Sequence, residues 1–122
     1  MGLFCLVQPS GTFAADTIDA VKLREYCQLV GLDDSQMNGD KILHASICLF
    51  YVAGISEGYD VAGAAHKQIC FPADSVVTNG QKALIVSKYL NDHPEMLNNP
   101  SVYLVLNALS EAFPCPVAPK RK

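Results

Sequence analysis

Gly54, Ile55, Ser56, Glu57 and Gly58 spell G-x-S-x-G, the pattern that presents the nucleophilic serine of many hydrolases. That pattern works as a sharp turn between a strand and a helix, because the bend is what exposes the hydroxyl. Here it continues a helical run, which predicts Ser56 as an ordinary residue near a helix end. His44, His66 and His93 are the candidate general bases. His44 is expected on the polar face of a helix, His66 in a polar loop and His93 at a turn before Pro94, and no spacing couples any of them to a nucleophile. The chain is therefore expected not to be an enzyme.

Cysteine is the other reactive side chain. No two of Cys5, Cys27, Cys48, Cys70 and Cys115 are spaced C-x-x-C, and no histidine stands at a ligand spacing from them, so no metal or other cofactor is expected. The first fifteen residues carry no charge and run Gly2, Leu3, Phe4, Cys5, Leu6, Val7 before the helix breakers Pro9, Ser10 and Gly11. With Thr12, Ala14 and Ala15 following, residues 1–15 read as the remnant of an export signal, cleaved before Ala15 or Asp16, although the basic start of such a signal is missing. A buried N-terminal strand is the competing reading. Six apolar residues cannot span a bilayer, so no membrane insertion is expected from this segment. Cleavage would remove Cys5 and leave an even number of cysteines in an exported chain, the pattern of a disulfide framework.

Residues 16–122 then form a single domain. A composition of 50% hydrophobic and 17% charged residues is globular, and the formal charge is −3 at pH 7. The basic cluster Lys120, Arg121 and Lys122 reads as a solvated terminus, and nucleic acid is not an expected partner.

The elements that would position these side chains are helices. Asp16 or Thr17 is expected to cap the first, whose apolar positions are Ile18, Val21, Tyr26, Leu29 and Val30, with Gly31 as a left-handed stop. Asp40 to Gly58 reads as the longest helix, apolar nearly all round and so buried on several sides, with Gly54 and Gly58 admitting a neighbouring helix. From Tyr59 to Val77 the periodicity dissolves into a surface loop with room for one helical turn around Ala64 to Gln68. Thr78 to Gln81 has the form of a capping box and opens a third helix carrying Ala83, Leu84, Val86, Tyr89 and Leu90. Asn99 and Pro100 are expected to cap and start a fourth, carrying Val102, Leu104, Val105, Leu106, Leu109, Ala112 and Phe113. No strand pattern follows the signal. The fold class is all-α, a four-to-five-helix bundle of two antiparallel hairpins with two disulfides.

Antiparallel third and fourth helices would bring Cys70 near Cys115, and a first hairpin would bring Cys27 near Cys48. Four cysteines allow three pairings and the sequence alone does not decide among them.

Cys48 to Gly58 (CLFYVAGISEG), Cys70 to Pro72 (CFP) and Val86 to Cys115, with KYLNDHPEML and a closing LNALSEAFPC, resemble the Rap/Tai type of immunity protein. That family protects Gram-negative bacteria from peptidoglycan-cleaving effectors of the type VI secretion system. The resemblance covers about residues 20 to 116 and implies a periplasmic, disulfide-bonded helical protein that often dimerises. It also implies a partner, a cysteine-dependent peptidoglycan amidase whose active site the protein occludes. In an inhibitor, cleft-filling residues are expected on loops of a rigid scaffold. One loop offers Glu57, Tyr59, Asp60, His66 and Lys67, and a second offers Asn91, Asp92, Glu95, Met96 and Asn98. The rival reading is a periplasmic chaperone or stress-response module resembling the acid-stress chaperone HdeA, which exposes apolar surface when its dimer dissociates.

Overall fold

The structure is a computed structural model that describes residues 17–63 and 67–116. The expected export segment, His66 and the basic cluster at 120–122 lie outside these residues. Among the described residues there are four α-helices, α1 (Ala20–Gln28), α2 (Gly39–Ala62), α3 (Asn79–Asp92) and α4 (Ser101–Ala112), and no strand. Three single 3₁₀ turns, Leu29–Gly31, Asp34–Gln36 and Pro94–Met96, punctuate the connections.

Three of the four helices begin where a side chain replaces a missing carbonyl partner. Asp19, rather than Asp16 or Thr17, caps α1, its carboxylate accepting the Lys22 amide at 2.8 Å. Asn38 caps α2 through the Lys41 amide, and Thr78 and Gln81 close a reciprocal capping box at α3, as their spacing predicts. The fourth helix departs from expectation. Pro100 is its cap and no side chain takes that role, because Asn99 turns back and donates its amide to the Met96 carbonyl at 3.0 Å. Instead Ser101 donates its hydroxyl to the Ile18 carbonyl at 2.6 Å, fastening the start of α4 to the approach to α1.

Helix ends differ as well. Gly31 supplies no left-handed stop; α1 tightens into a 3₁₀ turn, where the Leu29 amide reaches back to the Tyr26 and Cys27 carbonyls. A Cβ on Gly31 would lie 3.4 Å from the Leu84 side chain, so its smallness lets α3 pass close by. The second helix runs on past Gly58 to Ala62, carried by Ile55 and Tyr59, which pack against the core.

Leu23, Cys27, Cys48, Val52, Val86, Leu90, Leu104, Val105 and Leu109 are fully buried, and α3 packs on each of the other three helices. Ala20, Leu23 and Cys27 form the inner face of α1, leaving Val21 outside. The expectation that α2, apolar nearly all round, is buried on several sides is not met. Ala45, Cys48, Val52, Ala53 and Ser56 face the core, while Ile42, Leu43 and Phe50 are exposed. Nor do Gly54 and Gly58 admit a neighbour, since a Cβ at either would meet nothing within 4 Å. By length and hydropathy α2 would suffice to cross a bilayer, but its inner face belongs to this core.

Two disulfides cross-link the helices. Cys27 to Cys48 joins α1 to α2 with Cα atoms 5.2 Å apart, and Cys70 to Cys115 joins the segment before α3 to the residues after α4 at 4.9 Å. These are the pairings the helix order suggests.

Candidate functional site

Residues 57–63 and 67–72 are positioned by a cluster of interactions at the end of α2. Tyr59 is helical, and its phenol oxygen accepts the Gln68 amide at 2.6 Å, holding the returning chain against the helix it has just left. Ile69 and Pro114 form an isolated antiparallel bridge, and the Cys70 amide donates to the Phe113 carbonyl at 2.9 Å beside the second disulfide. Phe71 lies 5.0 Å from Phe113, ring to ring. Over Phe71 sits the Lys82 ammonium, 4.6 Å from the ring centre, which also donates to the Ser56 hydroxyl at 2.9 Å. This corner is stitched to α2, α3 and α4 at once. The expectation of a surface loop does not contain these links, because the partners Ser56, Lys82 and Phe113 are distant in the chain.

Glu57, Tyr59 and Asp60 therefore stand on the last turns of α2 and not on a loop, with Glu57 and Asp60 exposed. Lys67 is exposed beyond them. The second set is more varied. Asn91 and Asp92 close α3, Asn91 accepting from the Gln28 side chain at 2.8 Å and Asp92 pairing with Lys88. Glu95 and Asn98 are exposed, whereas Met96 packs against the core. The two sets are not brought together. Ser56 and Phe71 meet α3 at Lys82 near its start, while Asn91 and Asp92 close its end and Glu95 to Asn98 follow it, so the nine residues from Lys82 to Asn91, about 14 Å of helix, separate them.

Ser56 and Lys82 have the composition of a serine–lysine pair, but Ser56 is 1% exposed on a continuous helix and takes part as a hydrogen-bond acceptor. The nucleophile-elbow geometry, a strand before the serine, is absent from the described residues. His44 stacks on Tyr26 with ring centres 4.4 Å apart, and His93 stacks on Tyr89 while its Nδ1 meets the Tyr89 carbonyl at 2.8 Å. Among the described residues no group of His, Cys, Asp and Glu is arranged to hold a metal ion.

Two concavities border the candidate residues. One, about 290 Å³, lies between α3 and α4 and is lined by Ile85, Lys88, Tyr89, Asp92, His93 and Glu111 among others. The second, about 260 Å³, lies between the end of α2 and α4 and is walled by Tyr59, Gln68, Ile69, Tyr103 and Asn107. Both lie near the lower end of the size range of small-molecule pockets.

No curated protein and no solved structure matches the chain. A family model described as Rap1a immunity proteins matches residues 19–115, an interval that begins at the Asp19 cap and ends at the second cysteine of the Cys70 to Cys115 bridge.

Proposed function

The chain belongs to the Rap1a family of immunity proteins, and from that premise we propose that it is a periplasmic inhibitor of a peptidoglycan amidase delivered by a type VI secretion system. Immunity to a secreted effector is the family's role, and the chain is expected to bind a cognate effector and to catalyse nothing itself. The observation that carries this reading is the family match across all four helices and both disulfides. Two bridges agree with an exported protein, since such bonds persist in oxidising compartments. Residues 16–122 act as one domain, and the protein works as a homodimer.

Inhibition by occlusion requires a rigid wedge, because ordering a loose segment on binding subtracts from affinity. The corner around Tyr59 and Gln68 is the better-fastened of the two candidate regions, so Glu57, Asp60 and Lys67 are the first choice for effector contact, with His66 in the same stretch. Asn91, Asp92, Glu95, Met96 and Asn98 form the second choice.

The test mixes oxidised protein with a type VI secreted peptidoglycan amidase of the producing strain. A stable complex at neutral pH and loss of amidase activity at equimolar inhibitor are expected. Undiminished amidase activity in the presence of excess protein would overturn the reading. Binding of many unrelated clients, and only in acid, would favour the chaperone instead.

A further inference from the structure

The concavity between the end of α2 and α4 combines an open aromatic ring with unused amides. Tyr103, Leu106, Asn107 and Ser110, at steps of three and four residues, form the stripe of α4 that lines it, while Leu104, Val105, Ala108 and Leu109 face the core. Gln68 lines it from the returning chain, held in place by its amide's bond to the Tyr59 phenol. Among the described residues that line it none is charged, so a charged ligand would enter without a counter-ion. Asn107 is the unexplained residue. Asparagine favours caps and turns, because its side chain competes for backbone bonds within a helix. Asn107 stands instead in the interior of α4, and its carboxamide, like that of Gln68, makes no hydrogen bond within the chain.

We propose that this concavity binds a neutral N-acetylated amino sugar. Such a ring has an apolar side of C–H groups and an edge of hydroxyls and acetamide. The apolar side packs on Tyr103, which is 56% exposed although it lines the concavity. The edge meets the carboxamides of Asn107 and Gln68, each of which both donates and accepts, as an acetamide and a hydroxyl both require. The Ser110 hydroxyl spends its proton on the Asn107 carbonyl at 3.1 Å and keeps its lone pairs for a ligand donor. Leu106 offers apolar surface to the acetamide methyl. A volume of about 260 Å³ suits one sugar ring, with any neighbouring rings outside. A wholly apolar ligand would leave both carboxamides unpaired. A peptide would be read through a strand edge or a row of apolar pockets, and the polar groups here are side-chain amides around one ring.

Titration of the oxidised full chain with the trisaccharide of N-acetylglucosamine, followed by NMR of the side-chain amides, tests this. Saturable shifts at Asn107 and Gln68 are expected, and Tyr103→Ala and Asn107→Ala are each expected to weaken binding at least tenfold. Asn107→Ala removes a carboxamide without a partner in the chain and installs a better helix former. Its thermal midpoint should be no lower than the parent's, which separates loss of the site from loss of the fold. The glucose trisaccharide, which lacks the acetamide, is expected to bind at least tenfold more weakly. Insoluble cell-wall sacculi stripped of peptides distinguish the sources: retention reversed by the trisaccharide identifies a polymeric glycan, and trisaccharide binding without retention identifies a free sugar. No shifts at millimolar trisaccharide, equal binding of the glucose trisaccharide, tighter binding of an end-blocked neutral tripeptide, or binding that survives both substitutions would each overturn the proposal. A chain that binds the sugar but leaves the amidase active keeps this site and loses only the function proposed above.

Discussion

Ser56 and Tyr51 both sit on α2, and each couples a polar group to a neighbouring helix. The Ser56 hydroxyl is the acceptor that keeps the Lys82 ammonium over Phe71. Ser56→Ala is expected to lower stability by about 1.5–3 kcal/mol, the typical effect of losing a hydrogen bond to a charged group, and to leave any enzymatic assay unchanged. Urea unfolding measures the first, and a variant as stable as the parent would remove Lys82 and Ser56 from the account. Burial pushes the Tyr51 phenol above its ordinary pKa of 10, against a smaller downward pull from its hydrogen bond with Ser101. A raised folded-state value means that the unfolded chain loses this proton first, so the contribution is complete below pH 10 and fades as the pH climbs through the folded value. Tyr51→Phe is therefore expected to flatten the alkaline fall in stability, read as thermal midpoint against pH. An equally steep fall in the variant would assign it elsewhere.

At the scale of the element, legibility followed the distance over which a feature is decided. The Thr78 and Gln81 box was readable because both its bonds are made three residues apart. Asp19 was missed because Asp16, Thr17 and Asp19 are all acceptable caps, and the choice is made by Ile18 and Ala20 reaching the core. Asn99 was misread for a related reason, its amide having a nearer use in closing the Pro94–Met96 turn. The apolar periodicity of α2 showed that it is a helix but not which face lies inward, since both faces are apolar. Of the candidate contact residues, Glu57, Tyr59 and Asp60 were placed in a loop because Gly58 looks like a stop, although nothing there requires a left-handed backbone. The real stop is Gly63, where a Cβ would lie 2.8 Å from the Tyr59 carbonyl oxygen. Gly63→Ala is expected to cost about 1–3 kcal/mol by forcing the end of α2 apart. Calorimetry showing no change in thermal midpoint would mean that this end yields freely.

For the molecule as a whole, the disulfides close intervals of 21 and 45 residues. Loop-closure entropy assigns these about 3 and 4 kcal/mol, a large part of the 5–15 kcal/mol typical of a domain. Replacing Cys70 and Cys115 together by serine is expected to lower stability by about 4 kcal/mol in urea unfolding, provided the native helices remain. A loss well below that would show that strain or packing, and not chain entropy, sets the worth of this bridge. The Cys27 to Cys48 bridge is buried among Leu23, Val52 and their neighbours, so mild reductant is expected to open the more accessible Cys70 to Cys115 bridge first.

Because those two intervals, 27–48 and 70–115, follow one another without overlapping, the covalent plan is two closed rings joined by a single run of backbone, 49–69. A protease that nicks either ring once leaves every atom still tethered, whereas one cut between 49 and 69 parts the chain into two pieces. Most of that run is wound into the second half of α2. A cut in that run is the one that would separate the two rings, and α2 staying wound withholds most of it from proteases.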